Sequence, residues 1–364
     1  MKRTIHRPQL LTRPVVVALA AAVVLTAGAC TKSEDEASAA PSGSSAADAG
    51  QQVVTPEPGG KNCTADAYGA KKIDLKSATV GFSQSEKEAN PFRIAETKSI
   101  KDEAGKRGVK LLTANAQSQF SKQISDVQDL LAKGADLLVV APLNSDGWEP
   151  VLRAAAAKHV PIVTIDRKIN ATACKDYVSF IASDFVEQGK RAADQMIEAT
   201  GGKGEIAILL GAAGNNVTTE RTKGFKDRIA EKAPGLKVVF QQTGDFTREK
   251  GQQVTEQLIQ SKPGIKGIYA ENDEMGLGAE AALKGAGKKP GAVKIVTVDG
   301  TRNAVQAIAD GWISGVIESN PRFGPLAFQT LEAFTQGKPV PQDIVIQDGA
   351  YDAKNARQDL GKAY

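Results

Sequence analysis

The feature that most restricts the fold is a set of short apolar runs separated by amphipathic stretches. Strand candidates lie at residues 78–82, 109–113, 136–141, 161–165 and 177–182, with helical patterns between the first four. A second series follows at 205–210, 236–240, 267–270 and 293–298, again with helices between. The runs lack period-two alternation, so both faces of each strand must be covered. Strands alternating with helices of this length need right-handed crossovers and therefore build parallel sheets. Two such series predict an α/β protein of two similar, doubly wound parallel-sheet lobes. The remainder holds a short strand at 316–317, a Pro-bounded helix at 323–336 and a strand at 344–346. That is too little for a third domain, so the chain is expected to cross back and complete both lobes. Crossings near Ser183, near Ser319 and before Gln347 would put 77–183 plus 320–346 in an N-terminal lobe and 184–318 plus 347–364 in a C-terminal one.

Ahead of these lobes the chain reads as export. Lys2, Arg3, Arg7 and Arg13 precede an apolar stretch at 15–25, too short to span a bilayer as a stable helix, and then Ala27, Gly28 and Ala29. Small residues directly before Cys30 resemble a bacterial lipobox, in which the cysteine thiol receives a diacylglycerol; the same three residues would serve an ordinary signal peptidase. Residues 31–60 are rich in Ser, Ala, Gly, Pro and acids and read as a flexible tether, so 30–60 would be a lipidated cysteine and its linker. Residues 1–29 carry four basic residues and no acids, and their removal leaves 42 Lys and Arg against 42 Asp and Glu. A neutral chain offers no clustered basic face for a nucleic acid. Cys63 and Cys174 are then the remaining thiols, and in an oxidising compartment an even pair suggests one disulfide. Metal binding is the other reading, without a CxxC or HxxxH spacing to accompany it.

Chemistry is expected at the strand ends. The stretch GIYAENDEMGLGA at 267–279 reads as a strand, a turn and a helix start, with Asp273 the expected helix N-cap and Asn272 left to face outward. In an open parallel sheet that is where a small molecule is met. The Gly-rich turn at 210–214 raises a phosphate site but lacks the Lys-Ser/Thr of a P-loop and the dinucleotide fingerprint. No G-x-S-x-G elbow occurs, and His159, the one histidine beyond the leader, has no evident nucleophile partner. Gln84, Asp166, Arg167, Arg221, Asn272, Asp299 and Glu318 are planar, multidentate hydrogen-bonding groups at or near strand ends, with Phe92 and Phe246 close to others of the set. Each alone also reads as a turn or ion-pair residue. Together they suit a neutral polyhydroxylated ligand, since every sugar hydroxyl both donates and accepts and rings cover its C–H faces.

The segments VGFSQ at 80–84, NPFR at 90–93, APLNSDGWEPVL at 141–152, IDR at 165–167, GDFTR at 244–248, ENDEMGLGA at 271–279 and VDG at 298–300, with an R-x-x-G-F at 221–225, resemble the type I periplasmic sugar-binding proteins of ABC importers. NPF, DR, NDEM-x-LGA and DG are shared with ribose binders, while VGFSQ, GWEPVL and GDFTR are similar to the galactofuranose-binding branch. The resemblance implies two lobes joined by three hinge strands, with one sugar in the cleft. By that likeness Phe92 would stack on the sugar ring and Phe246 form a second apolar wall, while Arg93, Asp166, Arg167, Arg221, Asn272 and Asp299 would bond hydroxyls. Gln84, Glu88 and Asn90 would be further contacts, and Glu318 stands where ribose binders carry a Gln. Asn90-Pro91-Phe92 follows the ribose type, whereas the galactofuranose branch has a Trp before the Arg.

The implied function is that of a non-enzymatic, membrane-anchored receptor, without cofactor, monomeric, that hands galactofuranose, ribose or a similar monosaccharide to an ABC permease outside the cytoplasmic membrane. Three alternatives stand beside it: a receptor presenting a bound sugar to a membrane signalling protein, an exported carbohydrate-active enzyme, and the sensor half of a sugar-responsive repressor, against which the export signal and the lack of a helix-turn-helix segment argue.

Overall fold

The computed structural model of the chain describes residues 54–56 and 60–364. The expected leader, Cys30 and the expected tether up to residue 53 and at 57–59 lie outside the described residues. The strands are β1 Val54–Pro56, β2 Asn62–Cys63, β3 Thr79–Gln84, β4 Lys110–Asn115, β5 Leu137–Val140, β6 Ile162–Ile165, β7 Ser179–Ser183, β8 Lys203–Leu210, β9 Gly235–Thr243, β10 Gly267–Ala270, β11 Lys294–Asp299, β12 Gly315–Glu318, β13 Val340–Pro341, β14 Asp343–Ile346 and β15 Ala350–Asp352.

The first sheet runs β1-β14-β7-β6-β5-β3-β4 and the second β15-β12-β11-β10-β8-β9. Every pairing in them is parallel except those of the edge strands β1 and β15. Two doubly wound parallel sheets are what the apolar runs predict, and alternate residues explain why those runs are continuous. Val80, Phe82, Leu137 and Val139 enter one core, while Leu138 and Val140 enter another on the opposite face. In the second sheet Ile206, Ile208 and Tyr269 take one side, and Ala207, Leu209 and Ile268 the other.

The chain passes between the sheets three times: after β7 into the helix Phe185–Thr200, after β12 toward the helix Gly324–Thr335, and between β14 and β15. In each sheet the first strand lies between the second and third, β3 between β4 and β5 and β8 between β9 and β10. Strand order therefore reverses beside β3 and beside β8, which opens a crevice at the carboxyl ends.

One feature corrects the expected tether. Val54–Pro56 lies within the stretch read as a linker, yet its backbone pairs with β14, as the β-branched Val54 and Thr55 favour. Asn62–Cys63 pairs with β13, and Cys63 is bonded to Cys174 with 5.1 Å between their Cα atoms. This closes a 111-residue separation, which in chain-entropy terms stabilises the fold by about 4–5 kcal/mol.

The helices Phe185–Thr200 and Asn216–Lys232 touch backbone to backbone because two glycines allow it. A Cβ on Gly189 would stand 2.2 Å from the Arg221 carbonyl oxygen, and one on Gly224 would stand 2.0 Å from that of Val186. Neither contact yields to a side-chain rotation. Gly224→Ala should therefore lower unfolding stability by about 1–3 kcal/mol in denaturant titrations. Gly105→Ala, on an exposed helix face with open space around its Cβ position, should raise it by about 0.5–1 kcal/mol. Equal effects would contradict this account of the helix crossing.

Candidate functional site

Two aspartates end equivalent strands under backbone strain. Asp166 follows β6 with φ 63°, and the Arg167 N–H turns back to Ile165 O at 2.7 Å, a tight three-residue turn of the strained hand. Asp299 closes β11 with φ 141°, and Phe246 sits in the turn after β9 with φ 58°. Backbones of this kind favour glycine; non-glycine residues hold them where the surroundings over-determine the conformation, commonly at ligand clamps.

Around Asp166 the first lobe builds a buried ion network. Arg93 reaches Asp166 Oδ2 at 2.7 Å, Glu96 Oε2 at 2.8 Å and Glu86 Oε2 at 3.1 Å. Arg167 donates to the other Glu86 oxygen at 2.7 Å, and its guanidinium lies 5.6 Å from the centre of the Phe246 ring on the second lobe. Burial alone would raise the Glu86 carboxyl, but Arg167 and Arg93 outweigh it and hold it at about 2. Burial raises Glu96 to about 7 against the pull of Arg93, and its Oε1 is buried with no partner. Phe92 is braced edge-on by Phe323 and Tyr364, with ring centres 6.4 and 6.2 Å away. Asn90 caps the helix Pro91–Arg107 through its Oδ1, which leaves its amide nitrogen as the donor.

The second lobe supplies the facing wall. Arg221 Nε donates to Gln188 Oε1 at 2.8 Å, NH1 donates to Glu271 O at 2.5 Å, and NH2 lies 3.8 Å from Asp299 Oδ1. Burial and the neighbouring Asp273 carboxyl push Asp299 well above the usual carboxylate range, with Arg221 opposing them. Asp273 itself is raised to about 6 by burial, so both of these neighbouring acids hold their protons more tightly than free carboxyls do.

The capping expectation at 272–273 is reversed. Asn272 is the N-cap, accepting from Met275 N at 3.0 Å, while its Nδ2 donates to Phe246 O at 3.1 Å. Asp273 points inward to accept from the N–H groups of Gly300 and Thr301 and from the Thr301 hydroxyl. Donors of the turn after β11 thus draw the Asp273 carboxylate inward and leave Asn272 as the cap.

The Gly-rich turn also has its explanation. Gly211 N–H is taken by Glu271 Oε2 at 2.8 Å, and a Cβ there would stand 2.0 Å from the Phe246 ring. That glycine makes room for an aromatic wall and offers no open amide to a phosphate.

Asn90, Phe92, Arg93, Asp166, Arg167, Arg221, Phe246, Asn272 and Asp299 line one cavity, together with Glu86 and Val217. The cavity volume is about 30 Å³, well below the roughly 300–1,000 Å³ of small-molecule sites, so the two walls stand close together. Three of the expected contacts lie elsewhere. Gln84 stands behind the wall, donating to Glu96 and Thr97 and so orienting the Glu96–Arg93 pair. Glu88 faces a separate recess and accepts from Asn115 at 3.3 Å. Glu318 turns to the crossing between β14 and β15, where its Oε2 accepts from Gly349 N at 2.7 Å. Glu86 was legible only as a second carboxylate in the loop before Asn90, and the likeness drew attention to Glu88. Val217 carries no polar signal at all. Ser145 N donates to Gly214 O at 2.8 Å and Lys168 N to Asn216 Oδ1 at 3.0 Å, so the two lobes meet at the cavity mouth.

Glu86 gives the site a testable pH signature. With its carboxyl held at about 2 against an ordinary 4.5, its contribution to stability is complete above pH 4.5 and lost as pH falls toward 2. Glu86→Gln should cost roughly 3 kcal/mol near neutrality. That difference from the parent protein should shrink in unfolding titrations below pH 4.5; a difference that stays constant down to pH 2.5 would contradict the assignment.

Residues 80–356 match the family model described as a periplasmic binding protein domain. The galactofuranose-binding protein YtfQ of Escherichia coli is 35% identical over 290 residues, covering 78% of this chain and 91% of that protein. The ribose import binding protein RbsB of Bacillus subtilis is 36% identical over 270 residues, covering 74% of this chain and 85% of its own length. A Mycobacterium smegmatis protein crystallised with β-D-fucofuranose superposes with a TM-score of 0.75 at 38% identity, covering 78% of this chain and 94% of that one. With this coverage and this two-sheet architecture, the chain belongs to the periplasmic binding protein family.

Proposed function

We propose that this protein is the extracytoplasmic receptor of an ABC sugar importer, closing its lobes on one uncharged monosaccharide and delivering it to a permease. One observation carries the reading: three guanidiniums, from Arg93, Arg167 and Arg221, and three carboxyls, from Glu86, Asp166 and Asp299, line a single small cavity. The acids and bases neutralise one another, so the wall offers donors and acceptors to hydroxyls and no net charge to an ion. Phe92 and Phe246 cover the apolar faces of the sugar. The furanose form is the favoured one, because relatives of this chain are named for galactofuranose or were crystallised with a fucofuranose.

In this reading residues 1–29 direct export, Cys30 carries the lipid, and the following linker leaves the receptor at the outer face of the membrane. The Cys63–Cys174 bond suits that oxidising side. The lobes, 77–183 with 320–346 and 184–318 with 347–364, rotate about the three crossings, and sugar contacts from both favour the shut form. A cavity completed by one chain makes the monomer the working unit.

A thermal-shift screen of D-ribose, L-arabinose, D-fucose and D-galactose should identify a stabilising sugar, and calorimetry gives its affinity. Asp166→Ala or Arg221→Ala should each weaken binding about tenfold or more, since one charge-assisted bond is worth roughly 1.5–3 kcal/mol. Unchanged affinity in both variants would refute the site.

A further inference from the structure

The helix Phe185–Thr200 follows the first crossing directly, and Gln188, Arg191 and Gln195 share one of its faces. All three hold the third crossing. Gln188 Nε2 donates to Asp348 Oδ2 at 2.7 Å, Arg191 donates to the carbonyls of Asp348 and Gly349 at 2.8 Å each, and Gln195 donates to Tyr351 O at 3.4 Å. The other Asp348 oxygen accepts from Ser183 Oγ at 3.0 Å, in the first crossing. The second crossing joins through Glu318, whose carbonyl accepts from Gln188 Nε2 at 3.3 Å and whose Oε2 accepts from Gly349 N. The Gln188 oxygen accepts from Arg221 Nε at 2.8 Å, in the cavity wall.

From this we infer that Gln188 is a positioning residue that couples the state of the cavity at Arg221 to all three crossings; the inference rests on the receptor reading above. The amide can face only one way. A guanidinium has no acceptor and a carbonyl no donor, so the oxygen must meet Arg221 and the nitrogen must meet the Glu318 carbonyl, with Asp348 Oδ2 beside it. Gln188 is 1% exposed, and no solvent replaces a bond lost there. Rotation about the crossings shifts Glu318 and Asp348 relative to the helix, so only a narrow range of hinge angles satisfies the whole chain of bonds. A ligand that fixes the Arg221 guanidinium narrows that range further. The glycine contact between Gly189 and the Arg221 carbonyl keeps the two helices close enough for the amide to bridge. Such a chain is coupling only if perturbing one end is felt at the other.

Hydrogen exchange by mass spectrometry on the exported chain, without sugar, tests this. Arg221→Ala removes the cavity end of the chain, and Gln188→Met removes its middle. Each should speed exchange across residues 347–352 by about fivefold or more. Asn272→Ala, in the cavity wall but off the chain, should leave exchange there within about twofold. Gln188→Glu keeps the acceptor for Arg221 but has no donor for Asp348 or the Glu318 carbonyl; it should behave like Gln188→Met. A second arm adds D-galactose, which should slow exchange at 347–352 in the parent protein and leave it unslowed in Gln188→Glu. If D-galactose slows nothing in the parent, galactose is excluded as the receptor's sugar, while the sugar-free arm still decides the role of Gln188. Unchanged exchange at 347–352 in Arg221→Ala and in both Gln188 variants would overturn the coupling.

Discussion

Everything in the cleft depends on charges that neutralise one another out of water. Arg93, Arg167, Glu86 and Asp166 are each nearly buried, and a lone buried ion costs several kcal/mol. No member is tolerable without the others, so the set behaves as a unit. That unit is held from behind by neutral amides: Gln84 orients Glu96 and with it Arg93, and Gln188 orients Arg221. Rigid donors and acceptors fixed before a ligand arrives need no reorganisation when it binds, and preorganisation of this kind raises affinity without adding contacts.

Backbone geometry delivers these groups. The strands stop at a common level, and Asp166 and Asp299 take positive φ at that level, where a regular strand would have sent the next side chain into a core. Gly211 clears space for the Phe246 ring, and Gly189 and Gly224 let two helices approach until Arg221 and Gln188 meet. The glycines shape the site as much as its polar residues do.

How much of this could be read in advance follows from what each signal measures. Central strands buried on both faces are continuous apolar runs, so β3, β5, β6, β10 and β11 were plain from hydropathy. Of the nine expected residues that line the cavity, strand ends and a family likeness both pointed to seven, and the likeness alone to Asn90 and Arg93. The residues placed wrongly share a cause, since Gln84, Glu88, Glu318 and the Asn272–Asp273 pair each had two plausible faces to present. Which face wins is set by partners elsewhere in the chain: the Glu96 carboxylate that accepts from Gln84, the Gly349 N–H that donates to Glu318, and the Gly300 and Thr301 N–H groups that donate to Asp273. Residue type and spacing carry no information about such distant partners. Glu86 was hidden likewise, because its role exists only where Arg93 and Arg167 converge.

The central claim is that the cavity is neutral by mutual compensation and therefore selects an uncharged sugar. Calorimetry with D-galactose and D-galacturonate measures this directly, since the two differ by one carboxylate at a single carbon. The account predicts binding of the neutral sugar with little dependence on ionic strength, and no detectable binding of the uronate. Equal or tighter binding of D-galacturonate would contradict it.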